Sequence, residues 1–122
     1  MGERSAPTAH ESAAWLLCDQ RVLASLEIAA SGRARRRGLL GRDEAVGALL
    51  LERTRWVHTL GMRFPIDVAF LDSDDRVVKL VTMKPHRIGV PFIGARRVLE
   101  AEAGAFSRWS LKLGDQLEVR HT

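Results

Sequence analysis

A chain of 122 residues holds one domain, and with 46% hydrophobic and 28% charged residues it can bury an ordinary core, which excludes global disorder. No apolar run approaches the roughly 20 residues that cross a bilayer as a helix, and one cysteine, Cys18, excludes an intramolecular disulfide framework. The net charge of +4 hints at acidic partners, although the basic residues are scattered except around Arg33 to Arg42.

Residues 1–12 carry small and polar types and Pro7 without periodicity, so they read as a mobile tail ahead of a single β-rich domain over 13–122. The opening Met1-Gly2-Glu3-Arg4-Ser5 leads into polar residues, not an apolar signal core, and a cytoplasmic setting is expected. Trp15 to Cys18 and Val22 to Ala29 are apolar runs split by Asp19-Gln20-Arg21. In the second, Val22, Ala24, Leu26 and Ile28 alternate with Leu23, Ser25 and Glu27, the period-two signature of a strand after a hairpin turn. Ser31 then precedes an Arg/Ala-rich stretch, which predicts one short helix near 32–41 with Ser31 as its cap and Gly41 as its stop.

Ala48 to Leu51 is a further apolar run, and Trp56 to Leu60 reads as a strand or an extended loop. Ile66 to Leu71 and Val77 to Met83 form a hairpin around the turn cluster Asp72-Ser73-Asp74-Asp75. Pro85, Gly89, Pro91 and Gly94 punctuate a long loop. Val98 to Ala103 alternates again, and Gly114-Asp115 turns the chain into a last strand, Gln116 to Arg120. Many short strands with one helix predict a mainly β fold, a small barrel or sandwich.

Asp67 is the sharpest anomaly. In its strand Ile66, Val68 and Phe70 point one way while Asp67, Ala69 and Leu71 point the other, so a carboxylate shares a face with apolar residues. A buried carboxylate must be paired or hydrogen-bonded, either as a structural tie to backbone amides or an arginine, or as part of a site. His58 and Thr59 lie upstream and would meet Asp67 if the loop around Gly61 folds back. Arg42, after the apolar anchor Leu39-Leu40, has the reach to pair with Asp67 or Glu100. His10, His58, His86 and His121 lack ligand spacing, so no metal site is expected, and no glycine-rich phosphate loop or other cofactor signature is present. Cys18 reads as a small buried hydrophobe.

Several blocks together resemble the domain of unknown function 192 family. They are Arg37-Gly38-Leu39-Leu40-Gly41-Arg42; His58-Thr59 through Met62-Arg63-Phe64-Pro65-Ile66-Asp67-Val68, with Phe70-Leu71-Asp72; Met83-Lys84-Pro85 with Arg87; Val98-Leu99-Glu100 with Ala103-Gly104; and Gly114-Asp115. The resemblance spans roughly residues 22–120. It implies a jelly-roll-like β-barrel with a small helical element, and its polar motif positions fall on Arg42, His58, Thr59, Asp67, Arg87 and Glu100. It transfers no catalytic residue. Two departures stand out: His86 where many relatives carry tryptophan, and Ala101-Glu102 in place of an apolar-proline pair.

The expected function is a binding or accessory domain that takes a small molecule or a protein partner in a polar pocket. The alternative is a hydrolase or carbohydrate-active enzyme with Asp67 or Glu100 and His58 as acid-base groups. Weak nucleic-acid binding through Arg33 to Arg42 ranks third, because no aromatic residues interleave the cluster.

Overall fold

A computed structural model of the chain describes residues 11–122, with residues 11–13, 36 and 37 described by backbone alone. Seven strands and two short helices follow in chain order: β1 (Glu11–Cys18), β2 (Arg21–Ala29), α1 (Gly32–Arg37), β3 (Ala48–Glu52), β4 (Ile66–Leu71), β5 (Val77–Met83), β6 (Arg97–Glu102), α2 (Ala105–Arg108) and β7 (Leu117–His121). The strands form one sheet in the order β5-β4-β6-β3-β2-β1-β7. The fold is mainly β, as the strand spacing predicts.

Local chemistry accounts for the punctuation. Asp19 and Gln20 both have positive φ, 51° and 69°, the twist that a two-residue hairpin turn needs between β1 and β2. The Asp72 carboxylate accepts the Asp74 and Arg76 amides at 2.9 Å and folds the turn between β4 and β5. Ser31 caps α1 by accepting the Ala34 amide at 3.0 Å. The helix stops at Gly38 (φ 49°), not at Gly41; it is four residues shorter than 32–41 because Gly38 already takes a positive-φ backbone, which glycine adopts cheaply and which ends the helix. α2 has no strong sequence signal, since four residues are too few to show a period.

β2 and β3 run parallel, joined through α1, and all other pairs are antiparallel. Gly47 makes this possible. At φ 72° its backbone sits so close to β2 that a Cβ there would lie 2.6 Å from the Ser25 carbonyl oxygen. The sheet edges approach each other at one end, where Arg76 bridges Gln116, the Val77 amide donates to the Asp115 carbonyl (2.8 Å) and the Leu117 amide to the Asp75 carbonyl (2.9 Å). The sheet is thus curled and barrel-like without a continuous closing ladder.

Both faces of the central strands are covered. Leu16, Leu26, Leu50, Ala69, Leu71, Leu99 and Ala101 pack inside the curl with Phe106 and Leu111. Leu49, Leu51, Ile66, Val68, Phe70 and Val98 face outward and are buried under α1 and the loops that carry Leu39, Val57, Met62 and Ala95. Trp56 to Leu60 is one of those covering loops; it pairs with the loop after β5 through the His58–Ile88 bridge and through backbone bonds from Thr59 to the Arg87 carbonyl and from Gly89 to the Val57 carbonyl. Residues 1–10 of the expected tail lie outside the described residues, and Glu11 and Ser12 belong to β1, opposite Ala29 and Ile28. Among the described residues no helix is long and apolar enough to cross a membrane.

Candidate functional site

Strand pairing sorts the two buried carboxylates onto opposite faces of the sheet. Asp67 stands opposite Ala101 and Thr82, on the inside of the curl, whereas Glu100 stands between Val68 and Leu49 on the outer face. Each is only 5% exposed, but their surroundings differ in kind.

The bonds of Asp67 are made within the fold. Its Oδ1 accepts the Thr82 hydroxyl at 2.7 Å, and its Oδ2 accepts the Gly104 and Phe106 amides at 3.0 and 3.1 Å. It therefore ties the start of α2 to β4, the structural alternative open from its strand phase. Thr59 is equally committed. Fully buried, it donates its hydroxyl to the Lys84 carbonyl (2.6 Å) and accepts the Arg87 amide (2.9 Å), which staples the loop after β5 onto the 56–62 segment. The Arg87 side chain is exposed and donates to the Pro85 carbonyl. His58, Thr59 and Asp67 do not converge: the Gly61 loop folds toward Lys84 to Arg87 and away from the inner face.

Arg42 pairs with neither Asp67 nor Glu100 by hydrogen bond. Its guanidinium forks onto Glu27, Nη1 to Oε1 at 3.0 Å and Nη2 to Oε2 at 3.1 Å. The register explains the choice. Glu27, Leu49, Glu100 and Val68 form one row across β2, β3, β6 and β4, so two carboxylates bracket Leu49 on one face. Arg42 bonds Glu27 and reaches Glu100 through its field only.

Glu100 lies at the floor of a cavity of about 490 Å³ on this outer face. Leu39, Leu40, Leu51, Val57, Met62 and Ile66 give the cavity apolar walls, while Arg35, Arg53, Arg55, Trp56 and His58 supply its polar groups. Gly38 lies beside the carboxyl, where a Cβ would stand in ordinary contact, 3.4 Å from Glu100 Oε1. Among the described residues no hydrogen-bond donor reaches the Glu100 carboxyl, so its bonding capacity is directed into the cavity. Burial raises its pKa from 4.5 to about 7, against the smaller opposing pull of Arg42. Trp56 is fixed at the cavity by its indole N–H, which donates to the Gly89 carbonyl at 2.8 Å, and its ring lies 5.4 Å from that of His58. His58 Nδ1 accepts the Leu60 amide at 3.2 Å.

Of the six positions read from the sequence, His58 and Glu100 therefore line one cavity, Arg42 stands beside it, and Thr59, Asp67 and Arg87 serve elsewhere in the fold. Trp56, Arg35, Arg53 and Arg55 also line it. They sit on α1 and on a loop without periodicity, so only their clustering in sequence near His58 hinted at a shared location. His86, exposed, accepts the Gly61 amide through Nδ1 at 3.3 Å; Trp56 supplies the aromatic wall. Among the described residues no group of three or more His, Cys, Asp or Glu side chains is placed to hold a metal ion.

The contrast between the carboxylates is measurable. Asp67→Ala removes the acceptor of three hydrogen bonds and orphans two amides, and it should lower unfolding free energy by about 3 kcal/mol in urea titration. Glu100 behaves in the opposite sense. Because its folded pKa lies above its unfolded value, its stabilising contribution is complete below about pH 4.5 and is lost as pH rises through about 7. The loss amounts to roughly 3 kcal/mol by pH 8. Glu100→Gln should flatten that fall, leaving the variant more stable than wild type at pH 8 and near it at pH 4.5, as read from urea midpoints.

The comparisons with known proteins agree with this architecture. A crystal structure of a protein of unknown function from Novosphingobium aromaticivorans superposes with a TM-score of 0.75 at 20% identity, covering 97% of this chain and 93% of that one. A Sinorhizobium meliloti protein described as a "putative transcription regulator" also gives 0.75, at 25% identity, covering 97% and 98%. A UPF0127 protein of Pyrococcus furiosus is 44% identical over 62 residues, 51% of this chain and 53% of that protein; its counterpart in Pyrococcus abyssi is 39% identical over the same length. The chain spans about half the length of these curated relatives in the matched region. The model of the domain of unknown function 192 family, described as "Uncharacterized ACR", matches residues 16–119. The chain belongs to that family.

Proposed function

We propose that this domain binds a small organic molecule in the cavity above Glu100. One observation carries the reading: a buried carboxyl with no hydrogen-bond donor from the described residues, set at the floor of an apolar-walled cavity whose other polar groups are Trp56, His58 and arginines. An ordinary interior bonds its buried polar groups internally, as Asp67 and Thr59 are bonded here. A group left open toward a cavity of ligand size is the usual mark of a binding site.

An acid-base variant of the reading rests on Glu100 and His58 alone, which share the cavity; Asp67 is spent inside the curl. The Sinorhizobium protein is described as a "putative transcription regulator", and the third reading, nucleic-acid binding, would use the Arg33 to Arg42 cluster. In the present chain Arg42 is bound to Glu27 and Arg35 lines the cavity, so small-molecule binding ranks first.

The three tryptophans make the test direct, because Trp56 lines the cavity and Trp15 and Trp109 do not. A fragment library screened by amide and indole N–H spectra should yield compounds that move the Trp56 indole and the Gly38 amide together, with Trp15 and Trp109 unmoved. If no compound shifts Trp56 and Gly38 at millimolar concentration, the cavity is not a binding site.

A further inference from the structure

The polar groups that line the cavity carry opposite charge. At the floor, Glu100 offers two oxygen acceptors and sits 5% exposed, with no hydrogen-bond donor from the described residues. Around it stand three guanidinium groups, on Arg35, Arg53 and Arg55, with Arg53 and Arg55 exposed to solvent. Each of these is steadied by one backbone carbonyl. Arg35 Nη1 donates to Glu52 at 3.3 Å, Arg53 Nη2 to Ala30 at 3.2 Å, and Arg55 Nε to Ala95 at 3.0 Å. A guanidinium carries five N–H donors, so each fork keeps donors for a ligand while its stem is held in place.

A carboxyl and three guanidinium groups in one lining set requirements that a ligand with a single charged group meets poorly. A simple amine would satisfy the Glu100 carboxyl but would meet three positive charges on the way in. A simple carboxylate or phosphate would satisfy the arginines but leave the ionised Glu100 without a donor at a buried position, where an unmet polar group is costly. We propose that the ligand is two-ended: an apolar body with a protonated amine directed at Glu100 and an anionic group held by Arg35, Arg53 and Arg55. This rests on the reading of the cavity as a binding site and names the class of molecule that fills it. The walls formed by Leu39, Leu51, Val57 and Ile66 suit an aliphatic or aromatic body between the two ends. The amine end forms a charge-assisted hydrogen bond, the strong kind, with a carboxylate already removed from bulk water.

Four compounds of one chain length test the class: ε-aminocaproate with both ends, caproate with the anion, hexylamine with the cation, and hexanol with neither charge. Binding is followed on the full chain by titrating the Trp56 indole N–H. Aminocaproate should bind at least about tenfold tighter than either singly charged compound. Glu100→Gln should remove its advantage over caproate, and Arg53→Gln should shrink its advantage over hexylamine, with each variant's fold checked by its amide spectrum. If caproate, hexylamine or hexanol moves Trp56 as well as aminocaproate does, the two-ended class is overturned while the cavity still stands as a binding site. If none of the four moves Trp56, the class is overturned as well, and the fragment screen then decides whether the cavity binds anything.

Discussion

Burial of every residue of β4 imposes the constraint around which this molecule is arranged. A strand buried on both faces needs cover on both, and a chain of 122 residues with ten helical residues in the described structure has few elements to provide it. The inner face is covered by curling the sheet until β5 and β7 meet through Arg76 and Gln116. The outer face depends on α1 and on the two loops that flank the β4–β5 hairpin, held together by Thr59. Loops cover a face less completely than a helix layer does, and the cavity above Glu100 is the gap that remains.

The same constraint explains why the two buried carboxylates have different fates. Asp67 faces inward, where the start of α2 presents amides that need acceptors, and the match holds helix and strand together. Glu100 faces outward, toward a gap in which no donor of the described residues reaches it, and Arg42 is drawn to Glu27 across the same row of side chains. A carboxyl placed so costs the fold stability once it ionises. Its retention at the floor of a ligand-sized cavity makes sense when an incoming molecule supplies the missing bond.

Strand phase was legible in the sequence. The alternation of Ile66 to Leu71 places Asp67, Ala69 and Leu71 on one side, and the structure puts them there. The β4–β5 hairpin and the Asp19-Gln20 turn were legible for the same reason, since turn chemistry and period two are local properties. What a single strand's phase could not show was which side of the sheet its neighbour's carboxylate would face. Glu100 and Asp67 lie on adjacent strands with registers offset by one residue, and that offset, fixed by pairing, sends them to opposite faces. Arg42 likewise met a carboxylate, but on β2, because the parallel β2–β3 crossover brings Glu27 beneath it, a long-range consequence of Gly47 and α1. The cavity arginines sit on α1 and on a segment without periodicity, so their convergence exists only after folding.

Glu100 is a buried carboxyl that no donor in the described fold satisfies, and the binding role of the cavity depends on it. The most direct measurement is the titration of its side-chain carboxyl carbon by ¹³C NMR in the ligand-free protein, assigned with Glu100→Gln. A midpoint near 7 is the expected result. A midpoint at or below the usual 4.5 would mean that water or a hydrogen-bonded partner already meets the carboxylate, and the cavity would lose the group that gives it a purpose.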